Sequence, residues 1–432
     1  MALTALLHAA AWGANTKTSV SQVTGSVTLS SNVDYVVTGE TPFGTVGTID
    51  ITATDHAVLI LERTRPSATI GLLADHVRIA GQKAVNGQNC QVRLYGTRGA
   101  MVLPYSATDK PLTVYSGQNF TGEQCSDFGL ENDGGYMVTL TDQKLNNRIR
   151  SFRLKRGYMV TFATRRSGYG YQRCFIANSE DVEMATLPQI LDEKITSYRI
   201  FKWNTAGKKG LASNTDAAAC KALNVISCYG WDVGHDMQPD VECIPHHLYE
   251  DYPTSAACGK ATWAAHMKTN NEPRNSADDN PQSLATILGN WQNLMRTGMR
   301  LCSPSSWDGS DYTDGSGFLK QFFDSIDARG WRCDLADLHC YWMHNTFDNL
   351  PTMQSKYKRP LWISEWMYGA SWNKNGTFAS GATDGDAKWG VEQICNKLNS
   401  YAFVERYFYW NGESKGKVYS NGSVTSQVGA YY

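Results

Sequence analysis

The sequence predicts a multidomain chain, all-β in its first half and α/β in its second. Three observations carry this. Residues 16–108 break into short Val-, Thr- and Ser-rich runs separated by Gly, Asn and Asp. Residues 109–203 contain an internal repeat of β character. Residues 204–432 alternate strand-like runs with amphipathic helical stretches, the pattern of parallel strands and crossover helices.

The totals narrow the partners. The 432 residues carry a formal net charge of −1, so no global field draws the chain to nucleic acid or to an anionic membrane. Aromatic residues make up 11%, with 13 Trp and 22 Tyr, a load suited to covering the C–H faces of sugars as well as to filling cores. The 11 cysteines are scattered without a CxxC pair, which supports neither a zinc site nor a disulfide framework; most are expected to be buried thiols. No apolar run is long enough to span a membrane. Residues 1–15 include the small, apolar stretch Ala2–Ala14, read as the remnant of a secretory signal; on that reading the protein is secreted or at the cell surface. Nothing points to more than a monomer, and no cofactor is called for.

The first β block runs through Val20–Val37, Val46–Thr54, Ala57–Leu61, His76–Ile79 and Val92–Leu94. Alternation with tight turns suits a sandwich or a small β-solenoid. It holds no catalytic constellation.

In the second block, Leu145–Leu154 (LNNRIRSFRL) aligns with Leu191–Ile200 (LDEKITSYRI), each after an aromatic hairpin segment, Val114–Gly122 and Val160–Tyr171. The spacing of Tyr115, Phe120 and Gly122 to Ser151 and Arg153 resembles the Greek-key repeat of the beta/gamma-crystallin superfamily, which implies a crystallin-like β-sandwich. Some members of that superfamily bind calcium through a run that matches Asn146–Ser151 and Asp192–Ser197 here. Arg150 stands where that run has a hydroxyl, and Glu193 where it has a shorter side chain. Both oppose a cage of convergent oxygens.

In the third block, strands are expected at Asn224–Trp231, Asp240–Pro245, Trp263–Glu272, Arg300–Ser303, Asp337–Trp342, Pro360–Glu365 and Glu405–Trp410. A helix is expected from a cap at Asn280, with Pro281 at its first position and Gly298 at its end; a second carries Phe318, Leu319, Phe322, Phe323 and Ile326. About 225 residues suits a (β/α)8 barrel. Seven strands are legible, and the eighth is expected between His247 and Trp263. A doubly wound sheet is the competing arrangement.

In such a barrel the chemistry sits at the C-terminal strand ends. Glu272 and Glu365 end the fourth and seventh strands, a pairing that glycoside hydrolysis needs: one carboxyl to protonate the leaving oxygen, the other to attack or stabilise the sugar cation. Tyr229, Trp231, His246, His247, Trp307, His339, Tyr341, Trp342 and Trp366 are candidates for the walls that hold substrate, with Asn411 and Glu413 also near a strand end. His339 has an alternative reading as a hydrogen-bonded core histidine. Asp278 and Asp279 either cap the next helix or line a rim.

Asn270-Asn-Glu-Pro273 and Pro360-Leu-Trp-Ile-Ser-Glu-Trp366, with Ser303-Pro-Ser-Ser-Trp307 between them and Val404-Glu-Arg-Tyr407 after, resemble glycoside hydrolase family 128 of clan A. The resemblance covers the third block. It implies a retaining, endo-acting beta-1,3-glucanase without a metal, with Glu272 as acid/base and Glu365 as nucleophile. It further implies Asn271 on the sugar 2-hydroxyl and Trp410 as the floor under the reacting sugar. The chemistry then asks for carboxyls about 5–5.5 Å apart, a protonated Glu272 and an ionised Glu365. Three other readings stay open: a non-catalytic glucan-binding protein on the same scaffold, a clan A hydrolase of another beta-glycan, and a chain whose functional centre is the crystallin-like block as a calcium-stabilised module.

Overall fold

The computed structural model describes residues 15–106, 110–213, 215–275, 281–306, 309–313, 315–341, 347–368, 370, 384–412, 416–426 and 428–432. The expectations at Ala2–Ala14, Asp278, Asp279, Asn280, Trp307, Trp342 and Glu413 lie outside them. Among the described residues no helix is long and apolar enough to cross a membrane. The chain forms two compact units: Met1–Asp133 with Met137–Ala206, and Gly134–Tyr136 with Gly207–Tyr432.

The first unit opens with strands that alternate between two sheets. Thr16–Val20, Val33–Val37 and Val58–Leu61 pair in parallel in one sheet; Ser26–Leu29, Thr48–Ile51 and Val77–Ile79 pair in parallel in the other. That winding is the solenoid of the two architectures expected. An antiparallel hairpin, Cys90–Gly96 with Gly99–Pro104, extends the first sheet. Strand side chains alternate faces, so Val37, Leu59, Leu61, Ile49, Ile51 and Val102 meet in one apolar cluster between the sheets. The helix Pro66–His76 was not expected. Proline sits at its start, where the missing N–H costs nothing, but only Pro66, Thr69 and Leu73 are buried, so the sequence carries no clear amphipathic stripe.

The internal repeat folds as two four-stranded motifs that exchange a strand. One sheet runs Gln124–Cys125, Leu112–Tyr115, Ser151–Leu154, Val182–Met184; the other runs Val138–Thr139, Ser197–Lys202, Tyr158–Ala163, Gln172–Ala177. The third strand of each motif thus lies in the other's sheet, and all the pairings are antiparallel. The same two bonds lock each hairpin. Ser151 Oγ donates to Gly117 O at 2.6 Å and accepts from Phe120 N at 3.1 Å. Ser197 Oγ donates to Arg165 O at 2.7 Å and accepts from Gly168 N at 3.0 Å. Arg150 lies against Asp192, its Nε and Nη2 3.2 and 3.1 Å from the two carboxylate oxygens.

The second unit is mixed α/β, with parallel strands and few helices. One sheet runs Glu242–Cys243, Ser227–Tyr229, Lys209–Ala212, Val404–Trp410, Leu361–Trp366, Ala336–Cys340. A second runs His246–His247, His266–Thr269, Arg300–Pro304. Parallel bridges Cys302↔Leu335 and Ser306↔Leu338 join Arg300–Pro304 to the neighbourhood of Ala336–Cys340. Ile244 N donates to Cys228 O, and Lys268 N donates to Pro245 O, so the segment 242–247 touches a strand on each side. The strand missing from the sequence count is Lys209–Ala212, the first; the segment expected to hold it contains the helix Ser255–Gly259 instead. Four residues with one glycine give too short an alternation to read. Leu284–Arg296 is capped by Ser283, whose Oγ accepts from Thr286 N at 3.1 Å, so the helix starts three residues beyond the expected first turn. Gly298 follows it at φ 73°, as its place in the sequence suggests. Phe318–Ala328 buries the expected face.

All eleven cysteines are free thiols, and eight are buried, in keeping with their reading as small hydrophobes.

Candidate active site

Alternation along two strands builds the floor of the site. Asp337, His339 and Tyr341 share one face, two residues apart, as do His266 and Lys268 on His266–Thr269. Ala212, Tyr229, Ile244, Cys302, Leu335, Trp362 and Phe408 form one buried apolar cluster. On Leu361–Trp366 the register slips, so that Leu338 faces Ile363 while His339 faces Glu365. The extra residue is a bulge, which re-aims the side chains after it. Trp362 packs on Phe408 and His266, Glu365 turns to His339, and Trp366 turns to Tyr409.

Glu272 stands three residues beyond His266–Thr269, in a turn where Asn270 and Glu272 take positive φ of 25° and 34°. Ser305 fixes this turn: its backbone N–H reaches Asn270 O at 3.0 Å, and its hydroxyl accepts from Glu272 N at 3.2 Å. The Asn270 amide donates to Gln282 Oε1 at 2.9 Å. Glu272 and Glu365 expose only 12% and 7% of their side chains. One oxygen of each lies within 4.8 Å of the other.

His339 joins the two. It is fully buried, with Nδ1 2.6 Å from Glu272 Oε1 and 3.5 Å from Glu365 Oε2. The Asn275 amide donates to Glu272 Oε2 at 2.7 Å. The Tyr341 hydroxyl donates to Glu365 Oε2, and the Tyr229 hydroxyl lies 2.8 Å from Ser364 O and 3.2 Å from Glu365 Oε1. Lys268, without solvent exposure, places Nζ 3.2 Å from Asp337 Oδ2, 3.2 Å from Ser305 Oγ and 3.5 Å from His339 Nε2.

The electrostatics set the two carboxyls apart. Burial pushes the Glu272 carboxyl up, but the bonds from His339 and Asn275, with the charges of His339 and Lys268, outweigh it and hold it below its ordinary value. Glu365 is held above its ordinary value by burial, with the Glu272 charge adding to the rise against His339, Lys268 and Tyr341. Burial lowers His339, and the two carboxylates more than reverse that, leaving it raised. The two carboxyls are thus shifted in opposite directions, Glu272 down through its bonds to His339 and Asn275 and Glu365 up through its deeper burial.

Glu272, His339 and Glu365 offer ligand atoms close enough together for a divalent ion. The Lys268 ammonium at the other nitrogen of His339 opposes added positive charge there.

The expected wall residues divide. Trp410 sits edge-on to Tyr341 at 5.9 Å, Trp231 is 36% exposed, and Asn271 is half-buried in the Glu272 turn. Four are buried. Trp366 is fully buried against Tyr409 because of the bulge. His246 is buried edge-on to Tyr229 with Nδ1 3.2 Å from Gly230 O. Tyr229 is buried, its hydroxyl 2.8 Å from Ser364 O and 3.2 Å from Glu365 Oε1. His247, also buried, bonds Pro253 O at 2.6 Å. His339 is buried and hydrogen-bonded at the pair, as its alternative reading has it. Lys268, Asp337, Ser305 and Asn275 were missed. The alternation Asp337, His339, Tyr341 was the one available signal for Asp337.

Residues 210–432 match the family model for the glycosyl hydrolase catalytic core. No curated protein matches the chain. Among solved structures, the chain is similar to a GH128 (subgroup I) endo-beta-1,3-glucanase from Amycolatopsis mediterranei in complex with laminaritriose, at 26% identity over 52% of this chain and 98% of that one, TM-score 0.45. It is also similar to a GH128 (subgroup II) endo-beta-1,3-glucanase from Sorangium cellulosum (20%, 52% and 97%, TM-score 0.43) and to a GH128 (subgroup VII) oligosaccharide-binding protein from Trichoderma gamsii (19%, 52% and 91%, TM-score 0.41). The family match takes in more than half of the residues and both glutamates, and the chain belongs to the glycosyl hydrolase catalytic core family.

Proposed function

We propose that the protein is a retaining, endo-acting beta-1,3-glucan hydrolase with Glu272 as acid/base and Glu365 as nucleophile. The observation that carries this reading is the buried carboxylate pair with oxygens within 4.8 Å of one another. Retaining enzymes hold their carboxyls about 5–5.5 Å apart, whereas inverting ones leave about 6.5–9.5 Å for a water. The linkage rests on the ordered motifs from Asn270 to Tyr407 that resemble family 128.

In the first step, Glu272 gives its proton to the glycosidic oxygen while Glu365 attacks the anomeric carbon, forming a glycosyl ester and releasing the leaving chain. In the second, Glu272 takes a proton from water, which displaces Glu365 and restores both groups. A glycosidic oxygen docked on Glu272 accepts a hydrogen bond only from its protonated form, so bound substrate favours a protonated Glu272 and an ionised Glu365 by differential binding. The Tyr341 hydroxyl then stabilises the ionised Glu365.

The two sheets of the second unit, linked through 242–247 and through the bridges beside Arg300–Pro304, support an eight-stranded (β/α)8 barrel. The strand-exchanged motifs of the first unit support a crystallin-like accessory module, with a β-solenoid before it. A secreted or cell-surface location fits a polymeric substrate.

The test is product analysis of laminarin and other beta-glucans with wild type, Glu272→Gln and Glu365→Gln. Wild type is expected to release oligosaccharides from laminarin. Each variant is expected to lose roughly 100- to 10,000-fold in rate. Tight binding by wild type without release from any glucan would make the protein a glucan binder. Release from another glycan alone would move the substrate.

A further inference from the structure

Two ionisable groups next to the carboxylate pair have no step in the double displacement. Lys268 is fully buried on His266–Thr269, and Asp337 is fully buried on Ala336–Cys340. A lone buried ammonium costs several kcal/mol. The Asp337 carboxylate at 3.2 Å offsets that cost, and the pair brings Lys268 Nζ to 3.5 Å from His339 Nε2. An ammonium has three donors and no acceptor. Toward Nε2 it can only donate, which requires a lone pair there. The hydrogen of a neutral His339 must then sit on Nδ1, the atom aimed at both carboxylates.

We propose that Lys268, held by Asp337, is a positioning residue that fixes His339 in its Nδ1–H tautomer, so that one N–H serves whichever glutamate carries the charge. Before substrate binds, that N–H bonds Glu272 at 2.6 Å. The same N–H lies 3.5 Å from Glu365 Oε2, within reach of that carboxylate when Glu272 carries the proton. The opposite tautomer would place a lone pair against two carboxylates and an N–H against an ammonium. The charged groups that face His339 are Glu272, Glu365 and Lys268, with Asp337 behind Lys268; the rings of Tyr341 and His246 complete its surroundings. Lys268 opposes a second proton on the ring, and the two carboxylates favour it.

The catalytic consequence rests on the glucanase reading; the tautomer does not. The experiment is nitrogen NMR of the full chain with labelled histidine, the ring of His339 identified by its loss in His339→Asn. In wild type at pH 8, Nδ1 is expected to be protonated and Nε2 unprotonated. In Lys268→Met, protonation of Nε2 is expected at distinctly higher pH than in wild type, with Lys268→Arg restoring the wild-type titration in part. Protonated Nε2 in wild type at pH 8, or identical titrations in wild type and Lys268→Met, would overturn the proposal. If the variants do not fold, the wild-type spectrum alone decides the tautomer. On laminarin, Lys268→Met should lose roughly 10- to 100-fold in kcat with KM held, since misplacing a catalytic hydrogen bond acts on the chemical step. Absence of wild-type hydrolysis would sink the glucanase reading and leave the nitrogen titration to judge the tautomer.

Discussion

The difference between Glu272 and Glu365 lies in their donors. Glu272 holds His339 and Asn275, whereas Glu365 holds the Tyr341 hydroxyl, the Tyr229 hydroxyl lying nearer the Ser364 carbonyl. Tyr341 separates the two roles. Its hydroxyl touches Glu365 and its ring meets Trp410 edge-on, so Tyr341→Phe removes the bond and keeps the ring contact. A hydrogen bond to a charged group contributes about 1.5–3 kcal/mol, and Tyr341→Phe should lose roughly 10- to 150-fold in kcat on laminarin with KM little changed. A loss below about twofold would detach Tyr341 from the nucleophile.

Among the elements, the bulge in Leu361–Trp366 determines which aromatic residues can reach a ligand. The motif Pro360–Trp366 located Glu365 in the sequence, but period-two alternation puts Trp362, Ser364 and Trp366 on one face. The extra residue moves Trp366 to the other side, where Tyr409 covers it, and no sequence pattern announces a bulge. Partners brought together by topology were hidden for a related reason. Lys268 and Asp337 meet across 69 positions of sequence, and each reads alone as an ordinary charged residue in an apolar run. The paired glutamates were legible because their strand-end positions and neighbouring motifs are local. The repeat of the first unit was legible too, and its bonds make a prediction at this scale. Ser151→Ala and Ser197→Ala each leave a backbone N–H and a carbonyl without a partner, at a cost of about 1–3 kcal/mol. Both should lower the melting temperature of the first unit to a similar extent while leaving hydrolysis unchanged. Unequal effects would break the equivalence of the two motifs. Calcium should not raise that melting temperature, because the Arg150 guanidinium already occupies Asp192. An upward shift on adding calcium chloride would refute this.

For the molecule as a whole, stability and catalysis separate along the strands of the second unit. The carboxylate pair of Glu272 and Glu365 lies at the C-terminal strand ends. At the opposite ends, Glu242, His266 and Arg300, each the first residue of its strand, meet Glu405 and Arg406. Glu242 Oε1 lies 2.9 Å from His266 Nδ1 and accepts from Ala265 N at 3.0 Å; Glu242 Oε2 accepts from Arg406 at 2.7 Å. Arg300 grips Glu405 with two bonds of 2.6 and 2.9 Å, and the Trp362 indole adds a third at 3.2 Å. Pairing of opposite charges across four strands makes this network a clamp: replacing one member leaves a buried ion unpaired, which costs about 3–5 kcal/mol. Glu242→Gln should therefore lower the melting temperature of the second unit by roughly 6–20 °C for a unit of this size, with the catalytic geometry of the residual folded protein intact. Burial raises both carboxyls, but Arg406 and His266 hold Glu242, and Arg300 holds Glu405, well below the ordinary value of 4.5, Glu405 down to about 2. A depressed folded pKa contributes stability that is present above the unfolded value and is lost as pH falls toward the folded one. The second unit should thus keep this contribution above about pH 4.5 and lose it progressively toward pH 2, and Glu242→Gln should flatten that slope. Equal acid sensitivity in wild type and variant, followed by thermal unfolding from pH 6 to pH 3, would show that the clamp does not set the acid limit.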